Sequence, residues 1–248
     1  MFEEASARGY ALAVVGIPKT IDNDVRFVSR TFGHGTAVAE AVRVIQSAHN
    51  EARSVDNGVA VVKLMGRHAG FIAAAATVAS QDVNFCLVPE ERFSLGGPGG
   101  LWAVLERRLA RKGHAVVVVA EGAGQHLLES KGDRDASGNV KLQDIGLYLK
   151  DRCLAHFREL GMEMNLRYFD PGYEIRSCPA NTEDALLCDR MGRHAVHAAM
   201  AGNTAMLIGR WHGRFVHVPM ALATRQRRHL DTDGDLWMSV MEDRKSVV

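Results

Sequence analysis

The sequence predicts an α/β protein with mainly parallel sheets, and three observations carry that reading. Short β-rich apolar runs recur at residues 11–15, 59–64, 85–88, 115–120 and 205–208. Between them lie stretches that repeat their apolar residues with helical periodicity. Helix start and stop residues punctuate those stretches, so parallel strands joined by crossover helices are the simplest assembly.

Each element has its own warrant along the chain. Residues 1–8 read as the end of a helix closed by Gly9, and 11–15 as the first strand, leading into a polar loop at 16–24. The second strand, 59–64, runs into Met65-Gly-Arg-His-Ala-Gly70, with a helix expected to begin near Ala69. After the strand at 85–88, Gly96-Gly-Pro-Gly-Gly100 has neither a dinucleotide fingerprint nor a P-loop lysine. It reads as a turn before a helix at 101–112 that Gly113 stops. The strand at 115–120 delivers Glu121-Gly-Ala-Gly124. Asp144 is placed to cap a helix over 145–160 ended by Gly161, and an extended piece closed by Arg167 leads to a turn at Asp170-Pro171-Gly172. Thr182 is expected to precede the last long helix, 183–201, which Gly202 ends. From 211 to 220, alternation about His212-Gly213 suggests a hairpin.

Of the 248 residues 47% are apolar and 24% charged, a globular balance for which folding buries about 70% of the extended-chain surface. A net charge of +1 gives no reason to expect a nucleic-acid partner. No run reaches the roughly eighteen apolar residues of a membrane span, and acidic Glu3 and Glu4 are unlike a signal or transit peptide. No membrane partner and a cytoplasmic location are therefore expected. Cys86, Cys153, Cys178 and Cys188 show no C-x-x-C spacing, which fits a reducing compartment and argues against a zinc knot.

In open parallel sheets the ligand crevice lies beyond the carboxyl ends of the strands. The residues there include carboxylates, a lysine, a threonine and arginines, a set suited to an anionic, hydroxylated ligand. In the loop at 16–24, Asp22 and Asp24 stand at i and i+2, so an extended backbone can point both carboxylates to one side. Such a pair can divide labour: one accepts a proton from a sugar hydroxyl while the other holds magnesium on a phosphate. Lys19 and Thr20 would then contact the transferred group as a point charge and a donor. The plain alternative is a polar Asx-type turn.

Five ordered elements extend the pattern nearly end to end: Pro18-Lys-Thr-Ile-Asp-Asn-Asp24, then Thr31-Phe-Gly33 with Thr36-Ala37, Met65-Gly-Arg67, Glu121-Gly122 and Tyr173-Glu-Ile-Arg176. In these the chain resembles the phosphofructokinase family, on the branch that joins pyrophosphate-dependent enzymes to plant-like ATP-dependent ones. The resemblance implies the phosphofructokinase fold, with Rossmann-like doubly wound sheets in two similar domains. It also implies transfer of a phosphoryl group to the 1-hydroxyl of fructose 6-phosphate, giving fructose 1,6-bisphosphate in glycolysis.

By the same resemblance Asp22 is the base, Asp24 assists Mg2+ and phosphate, and Thr20 and Lys19 bind the moving phosphoryl group. Met65, Gly66 and Arg67 line the sugar, with Arg67 steadying transition-state charge; Glu121, beside Gly122, accepts sugar hydroxyls; Arg167, Tyr173 and Arg176 bind the sugar and its 6-phosphate. The implied partners are fructose 6-phosphate, ATP or pyrophosphate, and further copies of the chain in a dimer or tetramer. Short bacterial members borrow a neighbouring subunit's arginine for the 6-phosphate, for which Arg53 is a candidate.

One departure bears on domain organisation. The family's G-G-D-[DG]-[ST] motif, which cradles the donor and whose fourth residue separates pyrophosphate from ATP, has no counterpart before the loop at 16–24. The donor is left open and the first domain is expected to be incomplete. Residues 1–34 and 176–225 are expected to form what remains of the donor domain, 35–175 the sugar-phosphate domain, and 226–248 a C-terminal tail. The competing expectation is a non-catalytic sugar-phosphate-binding protein or regulatory subunit. A Rossmann dehydrogenase would need a fingerprint that is absent here.

Several other features read more simply. Asp133, Asp135, Ser137, Gly138, Val140 and Asp144 imitate part of a calcium loop but end on Asp rather than Glu. Asp231, Asp233 and Asp235 read as a solvated turn, and Met191-Gly-Arg-His-Ala195 as a chance repeat of residues 65–69 inside a helix. His194 and His197 share a helix face without further ligands. Arg225, Arg227 and Arg228 read as a solvated basic face, with an effector or anion site as the alternative.

Overall fold

The computed structural model describes residues 2–129, 134 and 141–243. Along the chain run α1 (Phe2–Ala7), β1 (Val15–Gly16), α2 (His34–Arg53), β2 (Gly58–Leu64), α3 (Phe71–Ser80), β3 (Phe85–Leu87), α4 (Leu101–Lys112) and β4 (His114–Ala120). They are followed by α5 (Ile145–Glu159), β5 (Asn165–Phe169), α6 (Gly172–Ser177), α7 (Thr182–Met200), β6 (Met206–Trp211), β7 (Arg214–Pro219), α8 (Met220–Ala223) and α9 (Asp235–Asp243). The chain divides into two compact units, Met1–Ala37 with Cys178–Arg228 and Val38–Ser177 with His229–Val248. The stretch from His229 thus counts with the second unit, where α9 packs on α3. Among the described residues no helix is long and apolar enough to cross a membrane.

The second unit is a four-stranded, wholly parallel sheet in the order β3-β4-β2-β5. Its two central strands, β4 and β2, are apolar apart from His114 and Lys63, because helices cover both faces. Val59, Val61, Val117 and Val119 pack with Leu101 and Leu105 of α4 and with Leu149, Cys153 and Phe157 of α5. The alternate residues Ala60, Val62, Val116 and Val118 are equally buried on the other face, the side to which period-two alternation sends them. Asp144 caps α5 as expected, its carboxylate accepting the Leu147 N–H at 3.0 Å. Gly113 ends α4 at φ 70°.

The first unit is thinner. Its sheet is β1-β6-β7, with β1 parallel and β7 antiparallel to β6. Met206 and Ile208 of β6 pack on Leu187, Met191 and Ala198 of α7, while Leu207, pointing oppositely, packs on Val28, Val218 and Ala223. The expected hairpin is there, and its two turn residues, His212 at φ 45° and Gly213 at φ 78°, have the positive φ of a tight turn matched to strand twist.

Three expectations shift. The first strand is only Val15–Gly16: the Val14 N–H goes to the Thr204 hydroxyl at 2.9 Å, and Leu12 is exposed rather than packed. The cap of α7 is Asn181, whose side chain accepts the Asp184 N–H, so Thr182 is the first helical residue. Helix α3 begins at Phe71 rather than near Ala69, because the Glu90 carboxylate accepts the Gly70 N–H at 3.1 Å and holds that residue as the cap. The anion at this helix N-terminus is thus one of the protein's own side chains. Of the calcium-like stretch, Asp133, Asp135, Ser137, Gly138 and Val140 lie outside the described residues.

Candidate functional site

In the first unit, β1 ends at Gly16, beside Leu207 near the start of β6, and the loop 16–24 begins there. The segment 31–34 fixes this loop. Phe32 donates its N–H to the Pro18 carbonyl at 3.1 Å, and Lys19 and Phe32 form a one-residue parallel bridge. Thr31 donates its N–H to Asn23 Oδ1 at 3.0 Å and its hydroxyl to the Thr20 carbonyl at 2.7 Å. Asn23 sits at φ 55°, in the left-handed region that asparagine tolerates. His34 donates Nδ1–H to the Ile21 carbonyl at 2.8 Å, the only tautomer a carbonyl can accept from, and burial lowers its pKa below the ordinary 6.5. A short turn inside the loop completes it, with the Asp22 N–H donating to Thr20 Oγ1 at 3.2 Å.

These bonds bring Lys19, Thr20, Asp22 and Asp24 to the wall of one cleft of about 490 Å³, with Gln226 and Arg227 opposite. Asp24 is almost buried. Its carbonyl accepts the Arg228 N–H at 2.7 Å and its Oδ2 the Arg227 guanidinium at 2.8 Å. Arg227 is therefore not part of a merely solvated basic face, and sequence reasoning missed its partner because the two residues are so far apart in the chain.

In the second unit, Met65-Gly66-Arg67 and Glu121-Gly122 leave the carboxyl ends of the neighbouring strands β2 and β4. The two loops lie backbone to backbone: Glu121 donates its N–H to the Leu64 carbonyl at 2.9 Å and Gly122 to the Gly66 carbonyl at 3.2 Å. A side chain at Gly122 would place its Cβ 2.1 Å from the Arg67 carbonyl oxygen, so glycine is needed for the approach. Burial raises the Glu121 pKa, while the nearby positive charges of Arg67, Arg176 and Lys63 oppose that rise. A half-desolvated carboxylate among cations is an acceptor suited to hydroxyl groups of an anionic ligand.

Beyond β5 the turn at Asp170-Pro171-Gly172 opens α6. Arg176 is fixed there, its Nε–H donating to the Gly172 carbonyl at 2.9 Å and its guanidinium lying 5.5 Å from the centre of the exposed Tyr173 ring. Arg167 does not close its strand, which continues to Phe169, and it pairs with Glu51 of α2 at 3.2 Å. Lys63 was not anticipated. Its ammonium joins Asp144 at 2.7 Å and Asp170 at 2.8 Å, tying the strand before Met65 to the cap of α5 and to the turn that carries Tyr173 and Arg176. Its signal in the sequence is a lone lysine in an otherwise apolar strand. Tyr168 donates to the same Asp144 at 3.2 Å, and its pKa is pushed up to about 12, first by burial.

A protein-held Mg2+ needs one or two carboxylates with open oxygens, the remainder coming from water or substrate phosphate. Among the described residues no group of three His, Cys, Asp or Glu is arranged to hold a metal, and Asp24, the expected ligand, already gives Oδ2 to Arg227. Asp22 and Asp24 line the same cleft, and such a pair suits a Mg2+ held mainly by substrate phosphate and water rather than by a protein cage. His194 packs on Phe215 with ring centres 4.4 Å apart and planes tilted by 31°, and Asp231 and Asp233 close a turn through the Asp233 N–H.

Parallel strands that carry acidic and basic loops beyond their carboxyl ends place the chain among the doubly wound α/β proteins. The family model described as "Phosphofructokinase" matches residues 2–199, and the chain belongs to that family. It is 48% identical over 246 residues to the ATP-dependent 6-phosphofructokinase of Borreliella burgdorferi, covering 96% of this chain and 55% of that protein. To the ATP-dependent 6-phosphofructokinase of Amycolatopsis methanolica it is 51% identical over 243 residues, covering 95% and 53%. The chain spans about half the length of the curated relatives it matches. Among solved structures, the pyrophosphate-dependent phosphofructokinase of Marinobacter aquaeolei superposes with a TM-score of 0.70 at 21% identity, over 98% of this chain and 63% of that one. Phosphofructokinase from Saccharomyces cerevisiae gives 0.66 at 24%, over 91% and 27%. At that identity the structural likeness concerns the fold.

Proposed function

We propose that the chain takes part in phosphoryl transfer to the 1-hydroxyl of fructose 6-phosphate, giving fructose 1,6-bisphosphate, with ATP as the donor favoured by the names of its relatives. The observation that carries this reading is the second unit's cluster, in which Glu121 stands among Arg67, Arg176 and Lys63 at the carboxyl end of parallel strands. Guanidinium groups bind phosphate through paired hydrogen bonds, and a glutamate accepts sugar hydroxyls. On the first unit, Asp22 takes the hydroxyl proton, while Lys19 and Thr20 meet the transferred group. Mg2+ enters this scheme only as the companion of the donor's phosphates.

The proposed assembly is a homodimer or tetramer, and the proposed location is the cytoplasm, which four cysteines free of disulfides fit. Turnover tests the reading. The purified chain, given fructose 6-phosphate, Mg2+ and either ATP or pyrophosphate, should form fructose 1,6-bisphosphate, with Asp22→Asn at least about a hundredfold slower. Saturable fructose 6-phosphate binding with no product from either donor would replace catalysis by a binding-only role, and no binding at all would sink both.

A further inference from the structure

We propose that the first unit carries a second small-molecule site, at the tip of the β6–β7 hairpin, for a flat ring bearing an anionic group. A cavity of about 300 Å³ is lined by Arg26, Phe27, Ser29, Trp211, His212 and Arg228. It holds two guanidinium groups and two large aromatic rings, and among the described residues no carboxylate is in its lining. None of these residues lines the cleft at Lys19 and Asp22.

The backbone is strained in order to build this wall. Phe27 sits at φ 59°, a region where a bulky aromatic residue is an outlier. The turn sends Val28 into the core, where it is fully buried, and leaves Phe27 half-buried at the core's edge, packed against that cluster. The Phe27 ring lies 6.5 Å from the ring of Trp211, at 43°, and 5.3 Å from the Arg26 guanidinium. Trp211 is 43% exposed, whereas Trp102 and Trp237 are buried at 7% and 4%. Arg228 directs Nη1 at the carbonyls of Val28 and Ser29, at 3.2 and 3.3 Å, which fixes its guanidinium in the lining. Its partial burial lowers its pKa, so an anion beside it would restore solvation that the cation has lost.

Planar guanidinium groups offer paired donors to a carboxylate or phosphate, and the aromatic walls offer stacking surface to a ring. The shared chemistry is an aryl phosphate or aryl carboxylate. An occupant would also touch a strap with a second attachment: Gln226 accepts from Arg26, Arg227 pairs with Asp24, and Arg228 holds Val28 and Ser29.

Tryptophan fluorescence of the full chain tests the site directly, since Trp211 alone of the three tryptophans is exposed. Phenyl phosphate and benzoate are titrated separately, with inorganic phosphate and phenol as controls that lack the ring or the charge. Saturable quenching by at least one ring-bearing anion, and not by either control, is expected, and the stronger of the two identifies phosphate or carboxylate as the preferred head group. Arg26→Gln should weaken it about tenfold or more, equivalent to about 1.4 kcal/mol. Phe27→Gly removes the wall while suiting the positive φ, so the fold is retained and binding, followed by calorimetry, is lost. Quenching that never saturates, an equal response to inorganic phosphate, or unchanged affinity in a folded Phe27→Gly variant would each overturn the proposal. All of these readouts are independent of kinase turnover.

Discussion

In the second unit the loops at Met65 and Glu121 leave strands that are packed on both faces, with Leu105, Ile72 and Phe157 wholly inside. In the first unit the loop at 16–24 leaves a two-residue strand, its small apolar clusters lie beside exposed Tyr10, Leu186 and Met200, and its shape depends on side chains bonding to named carbonyls. A packed sheet can aim a loop whatever the loop's own residues are, because the strand ends are already fixed. Where the core is thin, each hydrogen bond from Thr31, Asn23 and His34 supplies a constraint that packing does not, and losing one leaves a buried polar group unpaired.

The comparison predicts different failures on the two sides. Phe157→Ala opens a cavity in the second unit's core and should cost about 3–5 kcal/mol of stability, read by urea unfolding, with amide exchange faster in β2 and β4. Little change there would mean that the second unit is not held by packing. In the first unit, Asp184 is fully buried and accepts both the N–H and the hydroxyl of Thr36, each at 2.7 Å, at the start of α2. Asp184→Ala removes that acceptor and the Arg30 partner together, and should cost about 3 kcal/mol. Amide exchange in this variant should quicken first at residues 20–36. Uniform quickening over both units would remove the distinction.

Gly122 tests the close approach of two loops. Gly122→Ala forces a methyl against the Arg67 carbonyl, an atom of the backbone that no rotamer change can move away, and should cost about 1–3 kcal/mol, with a matching loss of affinity for the proposed ligand, fructose 6-phosphate. Gly192→Ala, within α7, meets nothing within 4 Å and should stabilise the chain by about 0.5–1 kcal/mol.

The regularity of the second unit made it the easier to read in sequence. Strands buried on both faces show as apolar runs, broken in β2 only by Lys63, and Asp144, Gly113 and Gly161 mark helix ends by local chemistry alone. What stayed hidden depends on distance along the chain. Arg227 meets Asp24, and Asp184 meets Thr36, through folding that brings remote segments together, and no local spacing encodes either pair. Strand β1 fell short for a related reason: the run 11–15 is apolar enough for a strand, but pairing needs a neighbour, and only Val15 and Gly16 meet β6. The Lys19, Thr20, Asp22 and Asp24 set was legible as chemistry because its members share one short loop.

The smallest effect expected is a pH slope, and it separates the two units through one histidine in each. Burial lowers the pKa of His34 in the first unit and of His114 in the second. As pH falls through the ordinary value of 6.5, the unfolded chain takes up these protons before the folded chain does. The native state therefore binds fewer protons there, so stability is complete above that pH and declines below it until the folded histidines protonate. His34→Asn keeps a side-chain donor for the Ile21 carbonyl without the titration. It should flatten the acid-side loss of protection at residues 20–24 while leaving that of β4 unchanged, and His114→Asn should do the reverse. Amide exchange followed across this pH range decides it: if either variant flattened both regions together, the two units would not be opening independently, and the polar latch around His34 would be part of one cooperative structure with the packed sheet.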